Sequence, residues 1–326
     1  LSIDIGLFPY LACPLSPVTC PLSPVPMSDL ENNFTPQLTA DGSLTFFSQE
    51  FGEAFHSNFG AKQESFRKFA SATQLSKIAQ KPVLRLLDIC YGLGYNTAAA
   101  LQTIWAVNPN CYVELIGLEL NPSVPQAAIA HHLLDNWNYE YTTILTKLAF
   151  EQQVQTNRLQ ATLLIGDARE SIRKVNQLGF LADAIFLDPF SPPQCPQLWT
   201  VEFMQQIALC LHGAGILATY SCAACVRKAL LLAGLQIGST EPVGRRSPGT
   251  VAAHPQSVES ESNSALPPLS PAEKEHLLTR AAIPYRDPQL NDPASVILQR
   301  RQQEQQTSLL EPTSRWRKRR LLSDHS

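Results

Sequence analysis

The chain has 326 residues, 44% of them hydrophobic and 16% charged, which is enough for one large α/β domain with a packed core plus appendages. A formal net charge of −3 excludes the global basic footprint of a general nucleic-acid binder, so any RNA contact must be local. The 8 cysteines lack the paired spacing of a disulfide framework, and no apolar run reaches the roughly eighteen residues of a membrane span.

In chain order, residues 1–34 form a tail with Pro9, Pro14, Pro17, Pro21, Pro24 and Pro26. Such spacing blocks helix and sheet alike, so disorder is expected. The tail has no basic n-region of a signal peptide, Met27 offers a start of translation, and the cytoplasm is the expected compartment. Residues 35–252 alternate apolar runs with helix-period segments. A short strand is predicted at Leu44–Phe47 and a helix over 61–79. Strands follow at 83–88, 113–118, 161–165, 182–187 and 215–220. They alternate with helices at 96–105, 122–134, 168–178, 200–211 and 223–233, Asn121 serving as N-cap of the second. This alternation predicts a Rossmann-like α/β fold, a mostly parallel central sheet with helices on both faces and a short β-rich extension before it. Residues 253–326 read as a Pro- and Ser-rich linker, short helices near 271–282 and 294–306, and a basic run, Arg315-Trp316-Arg317-Lys318-Arg319-Arg320. A solvated tail is the plain reading of that run, and an RNA contact the functional one.

The chemistry is carried by what closes the strands. Asp88, Glu119, Asp167 and Asp188 each end a separate apolar run, and in open α/β sheets ligands sit beyond the carboxyl ends of the strands. Acids converging on one sheet edge call for a ligand with hydroxyls, amines and positive charge. Asp88-Ile-Cys-Tyr-Gly92-Leu-Gly94 sets an acid before a tight turn whose glycines allow close backbone approach. The third glycine of a dinucleotide fingerprint is replaced by Thr97, which weakens a nicotinamide reading. Asp88 instead suits the amino group of a methionine moiety, and Glu119 a ribose diol held through both carboxylate oxygens. Asp167 and Ala168 suit an adenine amine, with Leu120 and Ile165 as apolar walls. Helix capping is the competing reading of Asp167 and Glu119. Together these residues point to S-adenosylmethionine. Asp188-Pro-Phe190-Ser-Pro-Pro then faces the methyl to be transferred. Asp188 is suited to hold an amine N–H and take its proton, and Phe190 to wall the substrate and favour the cationic centre. Trp199 is a candidate for stacking on a base. Cys222 and Cys225 form a lone C-x-x-C without a second pair, so no metal is expected, and Cys90 and Cys210 read as small buried hydrophobes.

Asp41-Gly42-Ser43 through Phe47-Ser48, the Gly-rich turn, the Asp188 segment D-P-F-S-P-P-Q-C-P-Q-L-W and the stretch T-Y-S-C-A-A-C-V-R-K-A-L-L-L-A-G-L together resemble the MnmC-type methyltransferase domain. The resemblance covers residues of about 35–250. It implies a class I S-adenosylmethionine-dependent methyltransferase fold and N-methylation of 5-aminomethyl-uridine, thiolated or not, at the wobble position of tRNA. It implies that Asp88, Gly92, Gly94 and Asn96 belong to the cofactor turn, Glu119 and Leu120 to the ribose side, Asp167 and Ala168 to adenine, and Asp188 to catalysis. Val243-Gly-Arg245-Arg246 resembles a segment that would bring two cations to the RNA. Two positions depart from the family pattern: Cys90 replaces its first turn glycine, and Asp188-Pro189-Phe190 its D-G-F. Bifunctional relatives carry an oxidase domain with a second glycine fingerprint, which this sequence lacks, so separate enzymes are expected to supply the aminomethyl precursor. A methyltransferase or aminopropyltransferase-like enzyme for a small amine is the alternative, and a degenerate cofactor-binding module a third.

Overall fold

The computed structural model describes residues 34–242, 247–255 and 266–323. The predicted Pro-rich tail and the Arg245 and Arg246 pair lie outside the described residues. β1 (Pro36–Leu38), β2 (Leu44–Ser48) and β3 (Glu53–Ala54) make a small antiparallel sheet, the expected β-rich extension. Its Asp41-Gly42-Ser43 turn has a second task. Ser43 Oγ accepts the backbone N–H groups of Ala61 and Lys62 at 3.0 and 3.2 Å, and Asp41 Oδ2 that of Gln63 at 2.9 Å. These are the orphan donors at the start of α1 (Ala61–Glu64), so the turn fixes where that helix begins. Only glycine fits at Gly60, where a Cβ would fall 2.3 Å from the Asp41 carboxyl carbon.

The single helix predicted over 61–79 is broken. α1 runs into a π-helical stretch, Ser65–Ala70, and α2 (Leu75–Ile78) starts only after Gln74 takes a left-handed φ of 56°. Hydroxyls compete for backbone carbonyls here, Ser65 Oγ bonding to Ala61 O at 3.0 Å and Thr73 Oγ1 to Phe69 O at 2.7 Å, which apolar periodicity does not register.

The central sheet follows. Its members are β4 (Val83–Ile89), β5 (Tyr112–Glu119), β6 (Gln153–Gln155), β7 (Leu159–Ile165), β8 (Ala182–Leu187), β9 (Leu211–Thr219), β10 (Gln236–Ser239) and β11 (Thr250–Ala253). They are arranged as β10-β11-β9-β8-β4-β5-β7-β6. The run from β9 to β7 is parallel, while β6, β11 and β10 pair antiparallel with their neighbours at the two edges. The helices between them are α3 (Tyr95–Val107), α4 (Ser123–Ala130), α5 (Tyr139–Glu151), α6 (Ala168–Gln177), α7 (Val201–Leu209) and α8 (Ala224–Leu232). Strand alternation sorts the core into two faces. Leu84 and Leu86 of β4 with Ala184 and Phe186 of β8 pack under α3 and α5. Leu87 and Ile89 with Ile185 and Leu187 pack on the face of α6, α7 and α8. Asp88 and Asp188, next in the first series, therefore belong to the side of α1 and α3. β4 lies between β5 and β8, where the winding of the sheet reverses, and that switch point is where such folds open a crevice.

Sequence patterning left out α5, whose Thr142, Thr143 and Thr146 are weak helix formers, and the edge strands β6, β10 and β11. Asn138 starts α5 by accepting the Glu140 N–H at 3.0 Å. The stretch beyond residue 266, expected as an appendage, is stitched to the body. It contains α9 (Pro271–His276), α10 (Ala294–Thr307) and α11 (Thr313–Ser323). Tyr285, Leu290 and Ile297 are buried in the same cluster as Trp199, Met204 and Val226, and buried Arg227 pairs with Glu273 at 2.7 Å. The basic run is α11 rather than a loose tail: the Trp316 ring stacks on His276 at 4.6 Å, and Arg319 pairs with Glu275 and Glu311.

Candidate active site

At the switch point lies a cavity of about 840 Å³ whose wall includes Gly92, Glu119, Leu120, Asp167, Ala168, Asp188 and Phe190. The turn after β4 builds its floor. Cys90, Gly92 and Gly94 all have positive φ, at 67°, 57° and 85°. Cys90 thus holds the left-handed backbone that a glycine would hold without strain, an unfavourable conformation for an L-residue. The turn is tied to β5: Cys90 N and Tyr91 N donate to Leu118 O at 3.0 and 2.9 Å, and Gly92 N donates to Glu119 Oε2 at 2.8 Å. Glu119 Oε1 accepts from Asn121 N at 2.9 Å. Each Glu119 oxygen therefore keeps a lone pair beyond the one a backbone N–H uses, which is the requirement for a ribose diol. Burial raises the Glu119 carboxyl above its ordinary range, against the lowering effect of those backbone donors.

Two of the cofactor assignments need correction. Asp88 does not line the cavity: it is fully buried under the turn, with Oδ2 accepting from Thr97 Oγ1 at 2.7 Å. Burial, countered by Thr97 and reinforced by Asp188 and Glu119, pushes it up to about 8, so it carries little charge at neutrality and the crowding of four carboxylates is relieved. Asn96, also buried, serves the acceptor side, its Nδ2 donating to Asp188 Oδ2 at 2.9 Å. Asp88 Oδ1 and Asn96 Oδ1 are buried acceptors with no donor among the described residues. Neither atom reaches the cavity, whereas Glu119 lines it beside the Gly-rich turn and keeps a lone pair on each oxygen, which fits a ribose diol, so the cavity's donor set suits S-adenosylmethionine.

Asp167 both caps and lines the site. It is the N-cap of α6, accepting from Arg169 N at 2.8 Å, and the Arg169 guanidinium grips it at 2.7 Å. The same guanidinium reaches fully buried Asp287 at 2.9 Å, so the C-terminal segment braces the Asp167 end of the cavity. Asp188, which also lines the cavity, is half-buried, and loss of solvation raises it to about 7 against the lowering effect of Asn96. Phe190 does not offer both ring faces to a substrate: Phe51 stacks on it at 4.4 Å and 16°, and Phe55 meets it edge-on at 5.0 Å. Trp199 is withdrawn from base stacking, being fully buried with its indole N–H donating to Phe190 O at 2.8 Å. It holds the loop after Asp188 in place. Tyr220 does the same from β9's end, donating to Pro189 O at 2.9 Å.

Several cavity residues had no signal in the sequence. Glu53, from β3, accepts Ser191 N at 2.9 Å and bonds its hydroxyl, closing the N-terminal hairpin onto the Asp188 loop. His56, Glu64 and Lys68 reach the same wall. His56 is lowered to about 4 by burial and is neutral. Glu64 and Lys68 form a buried pair at 2.8 Å. They come from far along the chain, so only their three-dimensional meeting with Asp188 reveals them. Cys222 and Cys225 are free thiols, and among the described residues no cluster of His, Cys, Asp and Glu is placed to hold a metal. No helix among them is long and apolar enough to cross a membrane.

This fold and cavity define a class I S-adenosylmethionine-dependent methyltransferase. A family profile described as S-adenosyl-L-methionine-dependent methyltransferase matches residues 131–255. The crystal structure of MnmC2 from Aquifex aeolicus superimposes with a TM-score of 0.71 at 33% identity, over 84% of this chain and 86% of that one. The chain belongs to this MnmC-type family of methyltransferases. It is also 29% identical, over 81% of its length and 70% of theirs, to an uncharacterized protein of Methanocaldococcus jannaschii. The bifunctional tRNA 5-methylaminomethyl-2-thiouridine biosynthesis protein MnmC of Ralstonia nicotianae is 30% identical over 68% of this chain, which spans 34% of that protein.

Proposed function

We propose that this enzyme N-methylates the aminomethyl arm of 5-aminomethyl-uridine, with or without a 2-thio group, at the wobble position of tRNA in the cytoplasm. The observation that carries the reading is Asp188: a half-buried carboxyl raised to about 7, held by Asn96, lining the same cavity as Gly92, Glu119 and Asp167. Support for the tRNA acceptor comes from the similarity to MnmC2 and to bifunctional MnmC proteins.

Bound S-adenosylmethionine supplies a methyl group on a positively charged sulfur. Glu119 would hold its ribose, Leu120 and Ala168 would wall its adenine, and Asp167, braced by Arg169, would meet its amine. Asp188 accepts an N–H of the acceptor amine and so orients the nitrogen lone pair. As the N–C bond forms and the C–S bond breaks, the nitrogen sheds one proton, and the Asp188 carboxylate takes it. A carboxyl raised toward neutrality is a stronger base than an ordinary Asp and is still largely ionised slightly above pH 7. Phe51, Phe55 and Phe190 exclude water from the methyl's path.

A small-amine acceptor is the second reading, because Glu50, Glu53 and Glu64 also line the cavity. Two of these are already committed, Glu53 to Ser191 and Glu64 to Ser57 and Lys68. Labelled cofactor incubated with hypomodified tRNA and, separately, with free polyamines decides between them. Methylaminomethyl-uridine in the nucleoside digest is the expected product. Label in the polyamines and none in the tRNA would replace this reading with the second.

A further inference from the structure

Burying an ammonium is costly unless its donors are met, and Lys68 is buried with one of its three N–H donors met among the described residues. Its side chain is 5% exposed, and its partner is Glu64 Oε1 at 2.8 Å. Glu64 is further held by Ser57, Oε1 also accepting Ser57 Oγ at 2.6 Å and Oε2 accepting Ser57 N at 3.1 Å. Burial alone would raise Glu64, but Lys68 and Ser57 hold it below its ordinary range, so the pair is ionic. Both side chains line the cavity, close enough to Asp188 for their charges to act on it. The backbone is bent to achieve this. Lys68 stands in the π-helical stretch Ser65–Ala70, where Ser71 N bonds back to Phe66 O at 2.8 Å, and π-helical turns are rare and concentrate at functional sites. Nothing in core packing requires a lysine there.

We propose that Lys68 is a substrate-positioning residue, its ammonium donating to the pyrimidine ring carbonyl beside the aminomethyl arm while Asp188 holds the amine. In a 5-aminomethyl-pyrimidine the amine and the 4-carbonyl share one edge of the ring, a donor next to an acceptor. The cavity presents the complementary charges, the Asp188 carboxylate and the Lys68 ammonium both lining it. Glu64 holds the Lys68 ammonium in place. The assignment rests on the pyrimidine acceptor argued above, and it gives that site a means of telling a modified uridine from a free amine, which has no carbonyl to offer.

The test is a cycle of two enzymes and two acceptors. The acceptors are anticodon stem-loops carrying a 5-aminomethyl-pyrimidine with its 4-carbonyl and without it. Wild type should favour the carbonyl form by roughly ten- to hundredfold in kcat/KM, the worth of one charged hydrogen bond. Lys68→Met should lose that preference to within about twofold while binding S-adenosylhomocysteine as wild type does. Because Lys68→Met leaves Glu64 buried and unpaired, Glu64→Gln/Lys68→Met is made alongside, and the same loss is expected from it. Equal preference in wild type and either variant, or none in wild type, overturns the proposal. Wild type that methylates neither stem-loop nor tRNA, yet methylates free polyamines, overturns the acceptor reading and this assignment with it.

Discussion

The two walls of the cavity are built in different ways. The wall proposed for the cofactor is mostly local: Gly92, Glu119, Asp167 and Ala168 sit at or just past the ends of β4, β5 and β7, Glu119 and Asp167 accept backbone N–H groups of nearby turns, and the Arg169–Asp287 brace alone comes from afar. The acceptor wall is assembled from a distance. Asp188 ends β8, Asn96 comes from α3, Lys68 from the π-helical stretch, and Glu53 and Phe51 from the N-terminal hairpin. A fold shared by many enzymes thus provides the first wall almost for nothing, and the substrate is chosen by segments that must be brought in. Damage to the second wall should affect turnover and leave cofactor binding alone.

The largest expected effect tests that directly. Asp188→Ala should lower kcat by roughly 10²–10⁴, the range for loss of a positioned general base, in single-turnover methyl transfer to hypomodified tRNA. Next comes the pH profile. Asp188 near 7 must be ionised to take a proton, so kcat/KM should rise with pH through about 7 and then level. A profile flat from pH 5.5 to 8 would remove Asp188 as the base.

A smaller effect concerns stability. Asp88 is raised from 3.8 to about 8 by burial, so the folded protein binds a proton that the unfolded chain releases near pH 4. Its contribution to stability is full below about pH 4 and is lost as pH rises through about 8. Asp88→Asn should flatten that loss in denaturant titrations between pH 6 and 9. An unchanged slope would mean that Asp88 is ionised in the folded state. Smallest of all, Cys90→Gly should relieve the left-handed strain at φ 67°. The relief is offset by the greater freedom of glycine in the unfolded chain, for a net gain of up to about 1 kcal/mol. Thermal unfolding would show it as an unchanged or slightly raised Tm.

The difference between the walls also explains what the sequence makes legible. The parallel strands could be read because buried strands are continuous apolar runs, and the acids closing them stood out against that background. Glu119 and Asp188 line the cavity, as their places at strand ends led one to expect. Asp88 was misread because sequence shows an acid at a strand end but not that α3 seals over it, and Asn96 because its bond to Asp188 spans 92 positions. Trp199 was a candidate for stacking on a base, yet its indole is spent on the Phe190 carbonyl. Glu64 and Lys68, spaced i and i+4 on an amphipathic stretch, look like any solvent-facing ion pair, and only burial distinguishes them.

Calorimetric titration of S-adenosylhomocysteine into Asp188→Ala and Glu119→Ala, side by side, examines the division between the walls most directly. Glu119→Ala should weaken binding by roughly tenfold or more, the loss of a charged hydrogen-bond acceptor to the ribose, and Asp188→Ala should bind as wild type does. Similar losses in both variants, or a larger one at Asp188, would contradict it.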